Sequence, residues 1–165
     1  MTLQEAAAQA DQLAQDGSER ELADLRSAWA DELEAAARSA DYRERAVAFR
    51  AIGQFRWRAK EELLRRGYDD ESPACRGSAL LSLELLSRDH PSSVNGVRSL
   101  LHTIATSDGN AAVRRLAVLC LKNGSAERNT IVLLEGLGAD DEVDADLRRA
   151  AAGVAQQLKR KQPRR

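Results

Sequence analysis

The side chains that most often perform catalysis or bind metals are few and scattered in this chain. His90 precedes Pro91 in a predicted turn, and His102 has no second histidine or carboxylate at metal-ligand spacing. Cys75 and Cys120 lie 45 residues apart without a Cys-x-x-Cys pair, so we expect two buried apolar residues rather than a disulfide or a zinc site. Glycine-rich phosphate loops and hydrolase motifs are absent. The sequence predicts a protein that is not an enzyme and has no cofactor or metal.

Charged side chains are abundant in this chain, and they fall into blocks of alternating net charge. Residues 1–42 have three basic and ten acidic side chains, and residues 43–66 have eight basic and three acidic ones. Residues 67–147 have seven basic and 13 acidic side chains, and residues 148–165 have seven basic and no acidic ones. The first basic block contains Phe55-Arg56-Trp57-Arg58-Ala59-Lys60, where aromatic and cationic residues are interleaved. Such a segment suits nucleic-acid backbones or acidic protein partners. The simpler alternative is a solvated helix face that pairs with the acidic N-terminal block.

The composition predicts that helices carry these residues. The 29 alanines and 22 leucines far outnumber the 15 valines, isoleucines and threonines, which favour strands. The longest apolar run, Leu116-Ala117-Val118-Leu119-Cys120-Leu121, is too short to cross a bilayer and is typical of a buried stretch, so we place Leu119 in the core. The N-terminus lacks the residue order of a secretory signal. We therefore expect an all-α protein with a cytoplasmic location.

Four segments of the chain align on one arginine. The arginines are Arg45, Arg76, Arg114 and Arg148, which are 31, 38 and 34 residues apart. Each is followed by small and apolar residues at helical spacing and is preceded by acidic turn residues that can cap a helix. Between successive segments lies a second apolar-periodic stretch, clearest over residues 94–104, with the others at roughly residues 56–66 and 129–137. A period of this length predicts repeated helical hairpins, in which we expect the arginines to bridge neighbouring turns.

Glycines fall where these predicted helices should end. The positions are Gly53, Gly67, Gly124 and Gly138. Because glycine adopts the left-handed conformation without a steric cost, we expect these residues to form C-terminal caps.

The aligned segments, of which Val113-Arg114-Arg115-Leu116-Ala117 is one, resemble HEAT-like repeats of the phycobilisome-lyase type over about residues 41 to 158. The resemblance implies a short right-handed α-solenoid made of about four helical hairpins. In such stacks the second helices usually line the concave surface. The resemblance therefore points to five partner-binding residues: Trp57, Arg58, Arg65, Arg98 and His102.

Residues 1–40 do not match the repeat. Thr2-x-x-Glu5 and Ser18-x-x-Glu21 have the form of capping boxes, which predict two helices, each with one apolar face. A solenoid needs a polar cover on its terminal repeat, so we interpret this hairpin as an N-terminal cap, with a docking or dimerisation helix as the alternative. The repeats follow at residues 41–158, and residues 159–165 form a basic tail that we expect to fray.

The resemblance implies binding rather than catalysis. Our first hypothesis is an adaptor, regulator or immunity-like protein of bacterial type that holds a partner protein. The second is a nucleic-acid binder that resembles the HEAT-like alkylpurine DNA glycosylases. A third, a bilin-lyase chaperone, has no distinguishing residue in this sequence.

Overall fold

The computed structural model describes residues 1–163; Arg164 and Arg165, the end of the predicted basic tail, lie outside the described residues. Within residues 1–163 there are ten α-helices, one short 3₁₀ helix at Arg58–Lys60 and no strand, which confirms the all-α prediction. No helix of this described part is both long and apolar enough to span a bilayer. The helices are α1 Leu3–Asp16, α2 Glu19–Ala37, α3 Tyr42–Gln54, α4 Glu61–Tyr68, α5 Pro73–Ser87, α6 Ser92–Asn95, α7 Arg98–Ser107, α8 Ala111–Leu121, α9 Arg128–Gly138 and α10 Ala145–Lys161.

The helices form two compact units, and each is described by itself. In the first unit, Met1–Leu86, helices α1, α2 and α3 pack against one another and α4 packs against α3. The predicted N-terminal cap, α1 and α2, therefore packs on the first helix of the predicted repeats. The second unit begins at Ser87, and within it α8 packs against α7 and α10, while α10 also packs against α9.

Each unit buries its own apolar core. The largest fully buried side chains of the first unit are Leu22, Leu33, Phe49, Ile52, Phe55, Leu64, Leu80 and Leu83, and those of the second are Leu101, Leu121, Leu134 and Leu147. Cys75 and Cys120 are both buried, as predicted, and they are not joined in a disulfide. Leu119 is only half-buried, so its assignment to the core was wrong. The apolar run is wider than one helix face, and the core side of α8 is formed by Val118, Leu121 and their neighbours.

Polar caps begin several of the helices. The Thr2 hydroxyl accepts a hydrogen bond from the Glu5 amide, and the Glu5 carboxylate accepts one from the Thr2 amide. These two bonds confirm the predicted capping box. Ser18 lies at the N-cap of α2 but makes no side-chain capping bond. Asp41, Asn110 and Asp144 cap α3, α8 and α10 through hydrogen bonds to amides of the first turn. Acidic and amide turn residues thus set where these helices begin.

The glycines predicted as left-handed caps do not adopt that conformation. Among the described residues the one glycine with a positive φ is Gly17, at 73°, which ends α1. Gly53 and Gly67 lie inside α3 and α4, where α5 approaches closely: an added Cβ would come within 2.6 Å of Ser82 at position 53 and 2.7 Å of Ala79 at position 67. These two glycines permit close helix packing rather than chain reversal.

In two of the predicted hairpins the second helix is shorter than its apolar pattern suggests, whereas α9 covers the whole of the stretch predicted at residues 129–137. The stretch over residues 94–104 is divided into α6 and α7, with the buried Val97 at the break. The stretch that we expected to begin near Arg56 begins instead with the 3₁₀ helix, followed by α4. A shared apolar face therefore does not require a continuous helix. At the other end of the chain α10 extends through Lys161, so the first three residues of the predicted tail are helical.

Two of the aligned arginines, Arg45 and Arg76, contact the turns before their helices through matched hydrogen bonds. Arg45 Nη1 donates to the carbonyls of Ser39 (3.0 Å) and Ala40 (3.1 Å), and Arg76 Nη1 donates to those of Asp70 (2.9 Å) and Glu71 (3.3 Å). In both cases the acceptors lie six and five residues earlier. The other two arginines differ: Arg114 donates to the Ala105 carbonyl, and Arg148 lies 3.7 Å from the Asp141 carboxylate.

Candidate partner-binding surface

Trp57 follows a tight turn at the end of α3. Its amide donates to the Ile52 carbonyl (3.0 Å), and the Arg56 amide donates to the Gly53 carbonyl (2.9 Å). This is the hydrogen-bond pattern of a Schellman cap, in which glycine usually occupies the left-handed position. Here Arg56 occupies it, with a φ of 51°. A left-handed conformation is strained for a residue with a Cβ, so surrounding contacts must hold the turn in place.

Contacts from the N-terminal helices supply that support. Arg26 of α2 donates from Nε to the Phe55 carbonyl (2.8 Å) and from Nη2 to the Arg56 carbonyl (3.0 Å). Arg56 Nη1 in turn donates to Asp11 of α1 (2.7 Å) and to the Gly53 carbonyl (2.9 Å). These bonds join α1 and α2 to the turn, and they fix the direction in which the chain presents Trp57.

The Trp57 indole is half-buried between an apolar and a cationic neighbour. Its ring centroid lies 5.6 Å from that of the buried Phe55 and 5.4 Å from Lys60 Nζ. Lys60 also donates to the Glu34 carboxylate of α2 (2.8 Å), and this bond lowers the Glu34 pKa. Lys60 and Arg56 therefore pair with the acidic N-terminal helices, as the simpler interpretation of the basic block predicts.

Arg58 and Arg65 do not pair with the N-terminal helices. Arg58 Nε lies 3.8 Å from Glu61 and Arg65 Nε lies 3.4 Å from Glu62, and the two arginine side chains are 49% and 56% exposed. Ion pairs this exposed contribute about 0 to 1 kcal/mol, so both guanidinium groups can exchange their partners for an external one. We call Trp57, Arg58 and Arg65 the Trp57 surface.

Arg98 and His102, the other two predicted contacts, lie on α7 in the second unit. His102 Nε2 lies 2.9 Å from Thr130 Oγ1, and Arg98 Nη1 donates to the same hydroxyl (3.4 Å) and to the Ser125 carbonyl (3.1 Å). Arg98 also donates to the Asn95 side chain, and its own side chain is only 11% exposed. The structure thus brings both residues together at the start of α9, where they connect α7 to α9.

The electrostatics of this cluster keep His102 neutral. Partial burial lowers the pKa of His102, and the nearby Arg98 cation lowers it further, while Glu127 acts in the opposite direction. A neutral imidazole suits the hydrogen bond to the Thr130 hydroxyl. Partner binding by Arg98 and His102 stays a prediction, because both side chains already have internal partners.

Sequence reasoning did not identify the residues that support Trp57. Arg26 and Asp11 are separated in sequence by 29 and 45 residues from the turn residues they bind, so no local motif indicates these contacts. The alternating charge blocks indicate that acidic and basic segments attract each other, but they do not say which side chains meet. The left-handed Arg56 carries no sequence signal either, since glycine is the residue normally expected there.

The structure offers no convergent metal site in residues 1–163, where no group of three or more His, Cys, Asp or Glu side chains could hold an ion. No protein-family model matches the chain, and no curated protein matches it. The resemblance to HEAT-like repeats therefore depends on the motif residues of this chain alone.

Proposed function

We propose that this chain is a non-catalytic helical-repeat protein that binds a partner protein through the Trp57 surface, as an adaptor, regulator or immunity-like protein. The observations that carry the proposal are a half-buried tryptophan directly after a turn with a left-handed arginine, and two exposed arginines, one in the adjoining 3₁₀ helix and one in α4. Tryptophan and arginine are enriched among the residues that dominate binding energy at protein interfaces. Strained backbone that persists at a surface is concentrated at functional sites.

Repeated turn geometry supports the HEAT-like part of the proposal. In the turns before α5, α8 and α10, an aspartate carboxylate accepts a hydrogen bond from the amide two residues later. The residues are Asp70, Asp108 and Asp140, with distances of 2.9, 2.9 and 3.0 Å. Asp70 and Asp108 both lie three residues before their helix begins. With the matched bonds of Arg45 and Arg76, this periodicity favours equivalent helical hairpins, which in our proposal form a short right-handed solenoid.

The charges of the surface define the expected partner. Arg58 and Arg65 are cations whose internal ion pairs are exposed and exchangeable. An acidic segment with an apolar residue would replace those pairs and cover the Trp57 indole at the same time. We therefore expect the partner to present acidic side chains around an apolar anchor.

Quantitative affinity capture from the source organism tests the proposal. The full chain is compared with a variant carrying Trp57→Ala, Arg58→Glu and Arg65→Glu, and with a matched control carrying Val132→Ala, Arg115→Glu and Arg128→Glu, which changes the same charges at exposed positions elsewhere. We expect a partner that the wild type and the control retain and the Trp57-surface variant loses. With the purified partner, the dissociation constant should rise at least about tenfold for the Trp57-surface variant, the size of effect expected at a binding hot spot.

Circular dichroism must show equal helix content in all three proteins. Equal affinity of the purified partner for the two variants would contradict the assignment of the Trp57 surface. Capture of no protein by the wild type, under conditions that recover control complexes, would contradict partner binding itself.

Nucleic-acid binding is the second candidate, because interleaved aromatic and cationic side chains also suit a phosphate backbone. The pairing of Arg56 with Asp11 and of Lys60 with Glu34 removes two of the cations that such binding would use. We therefore expect weak, non-specific binding of DNA or RNA at physiological salt.

A gel-shift titration with duplex and single-stranded probes at several salt concentrations measures this. Weak binding should fall steeply as salt increases, because affinity for nucleic acid arises largely from counterion release. Replacing Lys159, Arg160 and Lys161 with glutamine should remove most of it. Tight binding that survives this change but is lost in the Trp57-surface variant would make nucleic acid the preferred ligand.

A further inference from the structure

A cavity in the first unit has an arginine on its wall with an unused hydrogen-bond donor. The cavity has a volume of about 260 Å³ and is lined by Gln4, Ala46, Val47, Arg50, Gln54 and Ser78, from α1, α3 and α5. Arg50 Nη1 is the one buried side-chain nitrogen or oxygen of the described residues that lacks a hydrogen-bond partner. Native structures rarely leave a buried donor unpaired, and the cost is larger for a charged group.

Neighbouring acids do not supply the missing acceptor. Asp11 and Glu84 act on Arg50 electrostatically and oppose the fall in its pKa that burial produces, but neither is hydrogen bonded to Nη1. The Asp11 carboxylate already accepts from Arg56 (2.7 Å) and Gln15 (2.9 Å). An arginine stays protonated in proteins even when burial lowers its pKa, so Arg50 is a cation whose Nη1 has no acceptor.

We infer that the cavity beside Arg50 binds a carboxylate group. A planar guanidinium can donate two parallel bonds to the two oxygens of a carboxylate, a pairing stronger than a neutral hydrogen bond. Because Nη1 is out of contact with solvent, binding requires the guanidinium to rotate until this nitrogen reaches the cavity. The amides of Gln4 and Gln54 and the hydroxyl of Ser78 are further donors in the wall for the remaining lone pairs.

The charge balance favours a single negative charge over a dianion. One arginine faces the cavity, while the carboxylates of Asp11 and Glu84 lie near enough to influence it. A phosphate dianion would meet both repulsions, and Arg56, the other cation that acts on Arg50, is already paired with Asp11. A carboxylate carries half that charge and matches the fork of one guanidinium.

The size of the cavity and its surroundings limit what can carry the carboxylate. About 260 Å³ accommodates a small aliphatic acid or the end of an acidic side chain. Gln4 and Val47 also line a larger open groove of about 720 Å³, whose wall includes the apolar residues Leu3 and Ala36. The carboxylate can therefore belong to a free acid or to a peptide that lies in this groove, and the experiment separates the two sources.

Nuclear magnetic resonance of the ¹⁵N-labelled full chain tests the site. Butanoate represents a free acid and N-acetyl-glutamate amide represents an acidic side chain, each titrated at constant ionic strength with chloride as the reference anion. We expect saturable shifts of the Arg50 side-chain Nε–H and of the Gly53 and Ser78 amides. Arg50→Gln should weaken binding about tenfold or more, as expected for the loss of a charge-assisted pair, whereas Arg115→Gln, at an exposed position, should leave it unchanged.

A second variant keeps Arg50 and removes the space. Ala46 is half-buried on the cavity wall, so Ala46→Leu should block binding while the charge of the chain is preserved. The probe with the lower dissociation constant identifies the source of the carboxylate. Shifts that match those of chloride, or binding that persists in both Arg50→Gln and Ala46→Leu, would overturn the inference. The cavity does not include the Trp57 surface, so that result would leave the proposed partner binding intact.

Discussion

Gly53 in α3 and Ser82 in α5 are in direct contact. The Gly53 amide donates to Ser82 Oγ (2.9 Å), and the Ser82 hydroxyl lies within hydrogen-bond distance of the Phe49 and Arg50 carbonyls. A Cβ at position 53 would lie 2.6 Å from Ser82 Cα. The two helices approach this closely because position 53 has no side chain.

Gly53→Ala is therefore expected to destabilise the protein. The added methyl group must displace the α5 backbone, and overpacking of this kind costs about 1 to 3 kcal/mol. Alanine recovers about 0.5 to 1 kcal/mol through its better helix propensity, so we expect a net loss of about 1 kcal/mol and at most about 2.5 kcal/mol. Urea unfolding followed by circular dichroism measures the change.

Gly153→Ala provides the matched control. Gly153 lies inside α10, and an added Cβ would meet no atom within 4 Å. Here only the propensity gain remains, and the variant should be stabilised by about 0.5 to 1 kcal/mol. Equal effects of the two substitutions would show that the contact with Ser82 has no energetic consequence.

Arg45 and Asp70 form a bidentate ion pair between α3 and the turn before α5. The guanidinium donates from Nε and Nη2 to the two carboxylate oxygens at 2.9 and 3.0 Å, and the side chains are 12% and 10% exposed. Arg45→Gln and Asp70→Asn should each destabilise the protein, and the double variant should lose less than the sum. Strict additivity of the two losses would contradict an energetic coupling between them.

The same pair predicts a loss of stability in acid. The hydrogen bond from Arg45 holds the pKa of Asp70 below its ordinary value. The contribution of the Asp70 carboxylate to the free energy of unfolding is therefore complete above the unfolded-state pKa of about 3.9. It is lost as the pH falls through the lower folded-state pKa. Urea unfolding at a series of acidic pH values should show this loss in the wild type and not in Asp70→Asn.

His102 predicts a second pH dependence at higher pH. Burial and Arg98 lower its pKa in the folded protein, so its contribution is complete above the unfolded-state pKa of about 6.5 and is lost as the pH falls through the folded-state value. His102→Gln retains a donor for Thr130 without titrating. The wild type should lose more stability than this variant between about pH 7.5 and pH 5; parallel curves would contradict the prediction.

Leu121 and Leu119 should differ sharply when each is replaced by alanine. Leu121 is fully buried, so Leu121→Ala should cost about 2 to 5 kcal/mol through lost apolar contact and a residual cavity. Leu119 is half-buried in the same helix, and its replacement should cost less because the site is already partly solvated. Thermal or urea unfolding of the two variants makes the comparison, and equal losses would contradict the burial assigned to α8.

Local chemistry accounts for what could be predicted before the structure. Alanine and leucine content indicates helices, and Thr2, Asp41 and Asn110 mark where three of them begin, because a cap acts on amides only two or three residues away. The buried cysteines and the contact of the aligned arginines with nearby turns also follow from short-range patterns. The caps and the arginine contacts depend on interactions between residues no more than six positions apart.

Only the tertiary structure decided which residues meet across the chain. The sequence marks Gly53 as a helix end, whereas the approach of Ser82 makes it a packing site, and an apolar run alone does not tell Leu119 from Leu121. Arg56 adopts a left-handed conformation because Arg26 and Asp11 hold it from 30 and 45 residues away. Arg50 Nη1 has no hydrogen-bond partner, while the Asp11 carboxylate, which acts on Arg50 electrostatically, accepts a hydrogen bond from Arg56. Such competition between distant side chains for one partner is settled by three-dimensional distance, which sequence spacing does not encode.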